Sequence, residues 1–212
     1  RKLRIRFKEP YVLPTVMTCN EVKEILKYLY KLRADNPDTG GYAYKAQTRD
    51  IAVVELLFAT GIRVSELCEL SCDAVDLKQA TIKVFGKGSK ERVIQICSVE
   101  VLKILRQYQR LFAPSKCFFI NRLGNRLSSQ SVRLLIKRCR EEIGIGKKIT
   151  PHTFRHTFAT LLLEEDVDIK YIQNWLGHSS ITTTQIYTHV NMNKQKKILS
   201  SKHPRKKMEM EE

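Results

Sequence analysis

Apolar residues recur at Val22, Ile25, Leu26 and Leu29, three and four positions apart, which predicts an amphipathic helix. Thr18 and Glu21 stand just ahead of it as a Thr-x-x-Glu capping box. Residues 34–47 are rich in Asp, Asn, Pro and Gly and read as a loop. Residues 49–60 are apolar nearly all round, the pattern of a central, buried helix. Gly61 breaks that helix, and Val64 to Leu70 begins another. The period then changes. Thr81 to Phe85 and Arg92 to Ile96 are rich in β-branched residues, and Gly86-Lys87-Gly88-Ser89-Lys90 joins them as a hairpin, with a short partner strand near Val75–Leu77.

Helices resume at 99–112 and 130–143, the second carrying Val132, Leu135, Ile136 and Cys139 on one side. Thr150-Pro151 is an N-cap followed by proline at the first helical position. The helix it opens has Phe154, Phe158, Leu161 and Leu162 on one face, with His152, Arg155, His156 and Ala159 opposite. Asp168 caps a further helix through Trp175 and Leu176, stopped by Gly177. Residues 181–188 read as a short helix carrying Tyr187, and 191–200 as a weakly amphipathic basic helix. From Lys202 the chain is a charged tail expected to be disordered. No internal repeat is visible. The fold class is mainly α with a small antiparallel three-stranded β-sheet, α+β.

Length and composition sharpen this outline. The 212 residues suffice for one large domain or two small ones, and 42% apolar content marks a globular chain. Residues 1–14 carry Arg1, Lys2, Arg4, Arg6 and Lys8 and end at Pro14. They read as a basic interdomain linker, and a chain opening on a linker without Met reads as part of something longer. The formal net charge is +16, beyond what solubility asks of a domain this size, so the expected partner is a polyanion, nucleic acid foremost. A membrane surface is disfavoured, since the sequence has no transmembrane run and no lipidation motif. The six cysteines, Cys19, Cys68, Cys72, Cys97, Cys117 and Cys139, form no C-x-x-C pair, and no signal peptide is visible. They are expected to be reduced, buried thiols of a cytosolic protein.

The candidate chemistry lies in Arg63, His152, Arg155, His178 and Tyr187. His152 and Arg155 are three apart on one helix, about 60° apart around it at 3.6 residues per turn. Alone, each signal has a plainer explanation. His152 and Arg155 could be two solvated surface residues, and His178 beyond a C-cap could serve only the helix dipole. Arg63 could pair with Glu66, and Tyr187 could be a core residue. His152 and His156 stand four apart as in zinc proteases, but the general-base Glu of that motif is missing and Arg155 would sit beside the metal. Together the set suits phosphoryl transfer, which needs positioning and charge stabilisation above all. Two guanidinium forks match two phosphate oxygens, and a phenol with a reference pKa of about 10 needs a base or a cationic setting to attack.

In order and spacing these residues resemble the catalytic domain of the tyrosine recombinases, or phage-type integrases. Five blocks carry the resemblance: Ala59-Thr60-Gly61-Ile62-Arg63-Val64-Ser65-Glu66-Leu67, Gly86-Lys87-Gly88, Pro151-His152-Thr153-Phe154-Arg155-His156, Leu176-Gly177-His178-Ser179 and Tyr187-Thr188-His189. It covers about residues 12–195 and looks closest to Xer-like recombinases and the integrases of mobile elements. It implies that Arg63 and Arg155 grip the scissile phosphate, that His152 stands between base and acid, and that Tyr187 is the nucleophile. It implies further that Lys87 is the hairpin lysine, His178 fills the family's His-or-Trp position, and Glu66 orients the site. The family's fold, a catalytic domain over 15–189, follows, with a C-terminal segment at 190–212 exchanged between protomers. The N-terminal core-binding domain that usually precedes this block is absent from the chain.

The function so implied is site-specific recombination or integration of double-stranded DNA, through a 3′-phosphotyrosyl intermediate and a Holliday junction. No cofactor and no metal is expected. The expected assembly is a homo-oligomer, a tetramer on paired sites, with room for an accessory directionality factor, in the bacterial cytoplasm at the nucleoid. Two rivals stay open: DNA relaxation of the type IB topoisomerase kind, and an inert DNA-binding regulator.

Overall fold

A computed structural model describes residues 14–85, 91–112 and 115–177. Its elements are α1 (Cys19–Ala34), α2 (Tyr42–Thr60), α3 (Val64–Glu69), β1 (Val75–Asp76), β2 (Thr81–Phe85), β3 (Glu91–Gln95), α4 (Val99–Leu111), α5 (Ser129–Glu142), α6 (Pro151–Glu164) and α7 (Ile169–Leu176). The mainly helical class with a small antiparallel three-stranded sheet is what the pattern predicts. The expected linker 1–14 except for Pro14, the hairpin tip 86–90 and everything from His178 onward, with its two expected helices and tail, lie outside the described residues.

Helix α2 is the central post. Ile51 to Leu57 are fully or nearly fully buried on every side, and α1, α4 and α6 pack around it. Its all-round apolar stretch is satisfied only by such a position. The helix starts at Tyr42, earlier than the composition of residues 34–47 indicates. Asp38 closes the loop early, its side chain accepting from the backbone N–H groups of Gly40 and Gly41 at 3.1 and 2.8 Å. Chain from Tyr42 is then free to enter the helix. The capping box on α1 forms as expected, Glu21 N donating to Thr18 Oγ1 and Thr18 N to Glu21 Oε2.

The sheet has order β1-β2-β3 and is antiparallel throughout, with Val84 opposite Arg92 and Ile82 opposite Ile94. Each outer strand falls within one residue of its expected span. Ile82, Val84 and Ile94 face the core. By the two-residue period of a strand, Arg92 shares that inward face.

Two expectations are corrected. Of the cysteines only Cys68 and Cys139 are buried. Cys72 and Cys117 are half-buried, and Cys19 and Cys97 are exposed, because they occupy a helix start and a strand exit rather than core positions. On α6, Arg155 and Ala159 do not face solvent. They are 5% and 0% exposed, whereas Phe158, Leu161 and Leu162 of the apolar face are only half-buried. The reason is α7, whose Ile172 and Leu176 form a second small core with Ala159. No helix among the described residues is long and apolar enough to cross a membrane.

Candidate active site

Two left-handed glycines frame the site. Gly61 ends α2 at φ +60°, and Gly177 ends α7 at φ +62°. Only glycine enters that region without strain. At Gly61 the close packing adds a second demand, since a Cβ would lie 2.7 Å from Phe158 and 2.8 Å from Leu176. The turn at Gly61 thus locks the ends of α2 and α7 against α6, and the next residues, Ile62 and Arg63, open α3.

At the start of α3, Arg63 is the N-cap residue and Glu66 stands at N3. Glu66 reaches back to accept from the Arg63 backbone N–H at 2.9 Å and from its guanidinium at 2.7 Å. Arg92, arriving from β3, donates both terminal nitrogens to the same carboxylate, each at 2.8 Å. Four N–H donors therefore fall on two oxygens, which fills the acceptor capacity of a carboxylate. Burial pushes the Glu66 carboxyl up, but the bonds from Arg92 and Arg63 outweigh it and hold the group below the usual carboxylate range. Glu66 is thus a fixed anion, 5% exposed, unsuited to accept a proton.

Arg155 rises from α6 into the cleft between the two glycine turns. It donates to the carbonyl of Gly61 at 2.7 Å and to that of Leu176. Arg63 donates to the carbonyl of Gly177 at 3.0 Å, and Arg92 Nε to that of Trp175 at 3.1 Å. Three arginines from three separate elements thus take three consecutive carbonyls at the C-terminus of α7. Cations favour that end of a helix, where unpaired carbonyls carry partial negative charge. The immediate consequence is positional: the arginines fix the end of α7 as far as Gly177.

Of the seven residues expected to act, the structure brings Arg63, Glu66 and Arg155 together around α7. His152 lies one turn before Arg155 and is exposed, between buried Pro151 and Thr153 in the first turn of α6. Next to it, burial and then the proximity of His152 and Arg155 pull His156 below the ordinary histidine range. Lys87, His178 and Tyr187 lie outside the described residues. Arg92 is the participant that the sequence reading passed over. Its signal was available: in the alternation of β3 it stands two positions before buried Ile94, a charge on the core side of a strand.

Charge tells what the cluster can do. Three guanidinium groups against one carboxylate leave two net positive charges in a cleft where Arg92 is 13% and Arg63 32% exposed at the side chain. Arg63 spends two of its five N–H groups on described partners and keeps the most open position. Such a site is suited to an oxyanion whose negative charge grows during reaction.

Comparison with known proteins agrees. The model of the phage integrase family matches residues 15–194. A tyrosine recombinase of Agathobacter rectalis is 50% identical over 209 residues, which are 97% of this chain and 68% of the relative. The tyrosine recombinase XerC of Thermodesulfovibrio yellowstonii is 44% identical over 165 residues, 74% of this chain and 55% of that protein. The chain thus spans between about half and two thirds of the length of the curated relatives it matches. Among solved structures, the crystal structure of XerA recombinase superimposes with a TM-score of 0.73 at 32% identity, covering 92% of this chain and 67% of that one. XerH site-specific recombinase bound to palindromic difH substrate gives 0.75 at 26% identity, covering 89% and 53%. With its matched residues running from before α1 to beyond α7, this chain belongs to the phage integrase family, the tyrosine recombinases.

Proposed function

We propose that this protein is a site-specific DNA recombinase that cuts and rejoins duplex DNA through a covalent link to Tyr187. The observation that carries the reading is the meeting of Arg63, Arg155 and Glu66 at the C-terminus of α7, in a chain of this family. The XerH relative is a recombinase seen on its DNA substrate, and a chain of net charge +16 suits the same polyanion.

In this mechanism Arg63 and Arg155 bind the two non-bridging oxygens of the scissile phosphate. The phenol oxygen of Tyr187 attacks phosphorus, and His152 accepts its proton. The bond from phosphorus to the 5′-oxygen breaks, and Lys87 gives that oxygen a proton as it leaves. The product is a 3′-phosphotyrosine and a free 5′-hydroxyl. His178 donates to the phosphate, and Glu66 holds Arg63. The pentacoordinate phosphate carries one more negative charge than the diester, which the net charge of the arginine cluster opposes. Religation reverses each proton transfer, so neither a metal nor a nucleotide cofactor enters. Full exchange runs through a Holliday junction in a tetramer on paired sites, in the bacterial cytoplasm. Residues 190–212 pass from one protomer to the next. An apolar groove of about 770 Å³ lined by Phe58, Val93, Val101, Phe158 and Trp175 supports that last assignment.

The test is a nicked suicide DNA on which religation is blocked, read on a denaturing gel. The parent protein is expected to form a covalent adduct that Tyr187→Phe abolishes while DNA affinity stays within a few-fold. An adduct that persists in Tyr187→Phe would move the nucleophile elsewhere.

A further inference from the structure

Arg92 has no part in the mechanism above, yet its three guanidinium nitrogens join two separate elements at the site. Its guanidinium closes a fork on both oxygens of Glu66, and its Nε reaches the Trp175 carbonyl, 83 positions away. It lies directly beneath Gly177, where a Cβ would fall 3.0–3.1 Å from its Nη1, Cδ and Cζ. It is therefore held on three sides: by the start of α3, by the end of α7 and by its own strand.

We propose that Arg92 is a positioning residue for cleavage, acting through Glu66 and Arg63 rather than on the DNA itself. The inference rests on the functional reading above. Without Arg92, Glu66 would keep only the backbone N–H and one guanidinium nitrogen of Arg63, both from the residue that it must orient. With Arg92 on its other side, Glu66 can offer Arg63 only one orientation, and the donors Arg63 has left point one way. The bond to Trp175 fixes the last turn of α7 at the same time, so Arg63 and the Gly177 carbonyl it meets are set by a single guanidinium. The Arg92 fork is already spent on a carboxylate, an anion that a phosphate would have to displace, whereas Arg155 meets neutral carbonyls through its terminal nitrogens. A planar fork is needed for this. Lysine could meet one carboxylate oxygen but could not also reach the carbonyl in a fixed plane.

The inference is tested in the full-length protein with Arg92→Gln and Arg92→Lys, in single-turnover cleavage at saturating suicide DNA. Two substrates are compared. One is the natural phosphodiester, and the other carries a methylphosphonate at the scissile position, which removes the charge that the arginines must balance. On the phosphodiester, Arg92→Gln is expected to lose about 10–100-fold in rate, the usual effect of removing a group that orients a reacting one. DNA affinity should stay within about threefold of the parent, the margin of a residue that makes no phosphate contact. On the methylphosphonate the gap between variant and parent should shrink severalfold, because a misplaced Arg63 then matters less. Arg92→Gln combined with Glu66→Gln should be little worse than the poorer single variant, as expected of residues in one network. Arg92→Lys should fall between parent and Arg92→Gln, and it carries the same comparison if the Gln variant fails to fold. Equal losses on both substrates would make Arg92 merely structural and overturn the proposal. So would a loss confined to affinity, which would make it a DNA contact, or rates within twofold of the parent. Absence of any adduct from the parent protein would instead refute the functional reading, and this inference with it.

Discussion

Substitution of Gly61 by alanine probes the framework on which the site depends. Two costs are expected, and they can be separated. The first is conformational: at φ +60° an L-residue pays roughly 1–2 kcal/mol for the left-handed region. The second is steric. The new methyl would sit 2.7 Å from a ring carbon of Phe158 and 2.8 Å from a methyl of Leu176. Leu176 is completely buried and cannot swing away, so α6 or α7 must move, at about 1–3 kcal/mol for overpacking of this kind. The total is roughly 2–5 kcal/mol, or about 4–20 °C in Tm for a domain of this size. Gly144→Ala is the control. It shares the positive φ, at +71°, but a Cβ there meets nothing within 4 Å, so only the first cost of roughly 1–2 kcal/mol applies. Urea denaturation of both variants should therefore show Gly61→Ala the less stable by about 1–3 kcal/mol, the steric term alone. Adduct formation should fall as well, since the Gly61 carbonyl that receives Arg155 is displaced. If Gly61→Ala is no less stable than Gly144→Ala, the packing of α6 and α7 on this turn is not what the distances imply.

Arg155→Lys should slow cleavage by roughly 10²–10³ at saturating DNA, the scale of losing one preorganised donor. It should also destabilise the fold by about 1–3 kcal/mol, since lysine cannot serve both the Gly61 and Leu176 carbonyls. A rate within twofold of the parent would remove Arg155 from phosphate binding. For Glu66 the sign of the pH effect follows from its lowered pKa. Its contribution to stability is fully present above the unfolded value of about 4.3 and is lost as pH falls through the lower folded value. Glu66→Gln should thus be less stable than the parent at pH 7, with the gap closing toward pH 3 in urea titrations. A gap independent of pH would contradict the ion cluster. Affinity for duplex DNA should fall with salt at a log–log slope near −0.9 per phosphate neutralised, and a flat dependence would sever the charge of +16 from DNA binding.

Much of the architecture is decided by interactions within a few residues, and those the sequence by itself determines. The Thr18–Glu21 capping box, Thr150-Pro151 at the head of α6 and the glycine stops at 61 and 177 are local in this sense. So is the alternation that makes β2 and β3. Arg63 and Glu66, three apart, declare their pairing in the same way. Tertiary structure decided which faces would be covered. The helical pattern of α6 put Arg155 on an open polar face, yet α7 folds over that side and makes Arg155 the buried strut between two helix ends. Nothing on α6 itself encodes the arrival of α7, because burial is a property of two surfaces and a sequence pattern describes one. The cysteines fail as predictors of burial for the same reason. Arg92 shows the limit most clearly. Its partners lie 26 and 83 positions away, and only closure of the fold brings α3, β3 and α7 to a single point, where one guanidinium can join them.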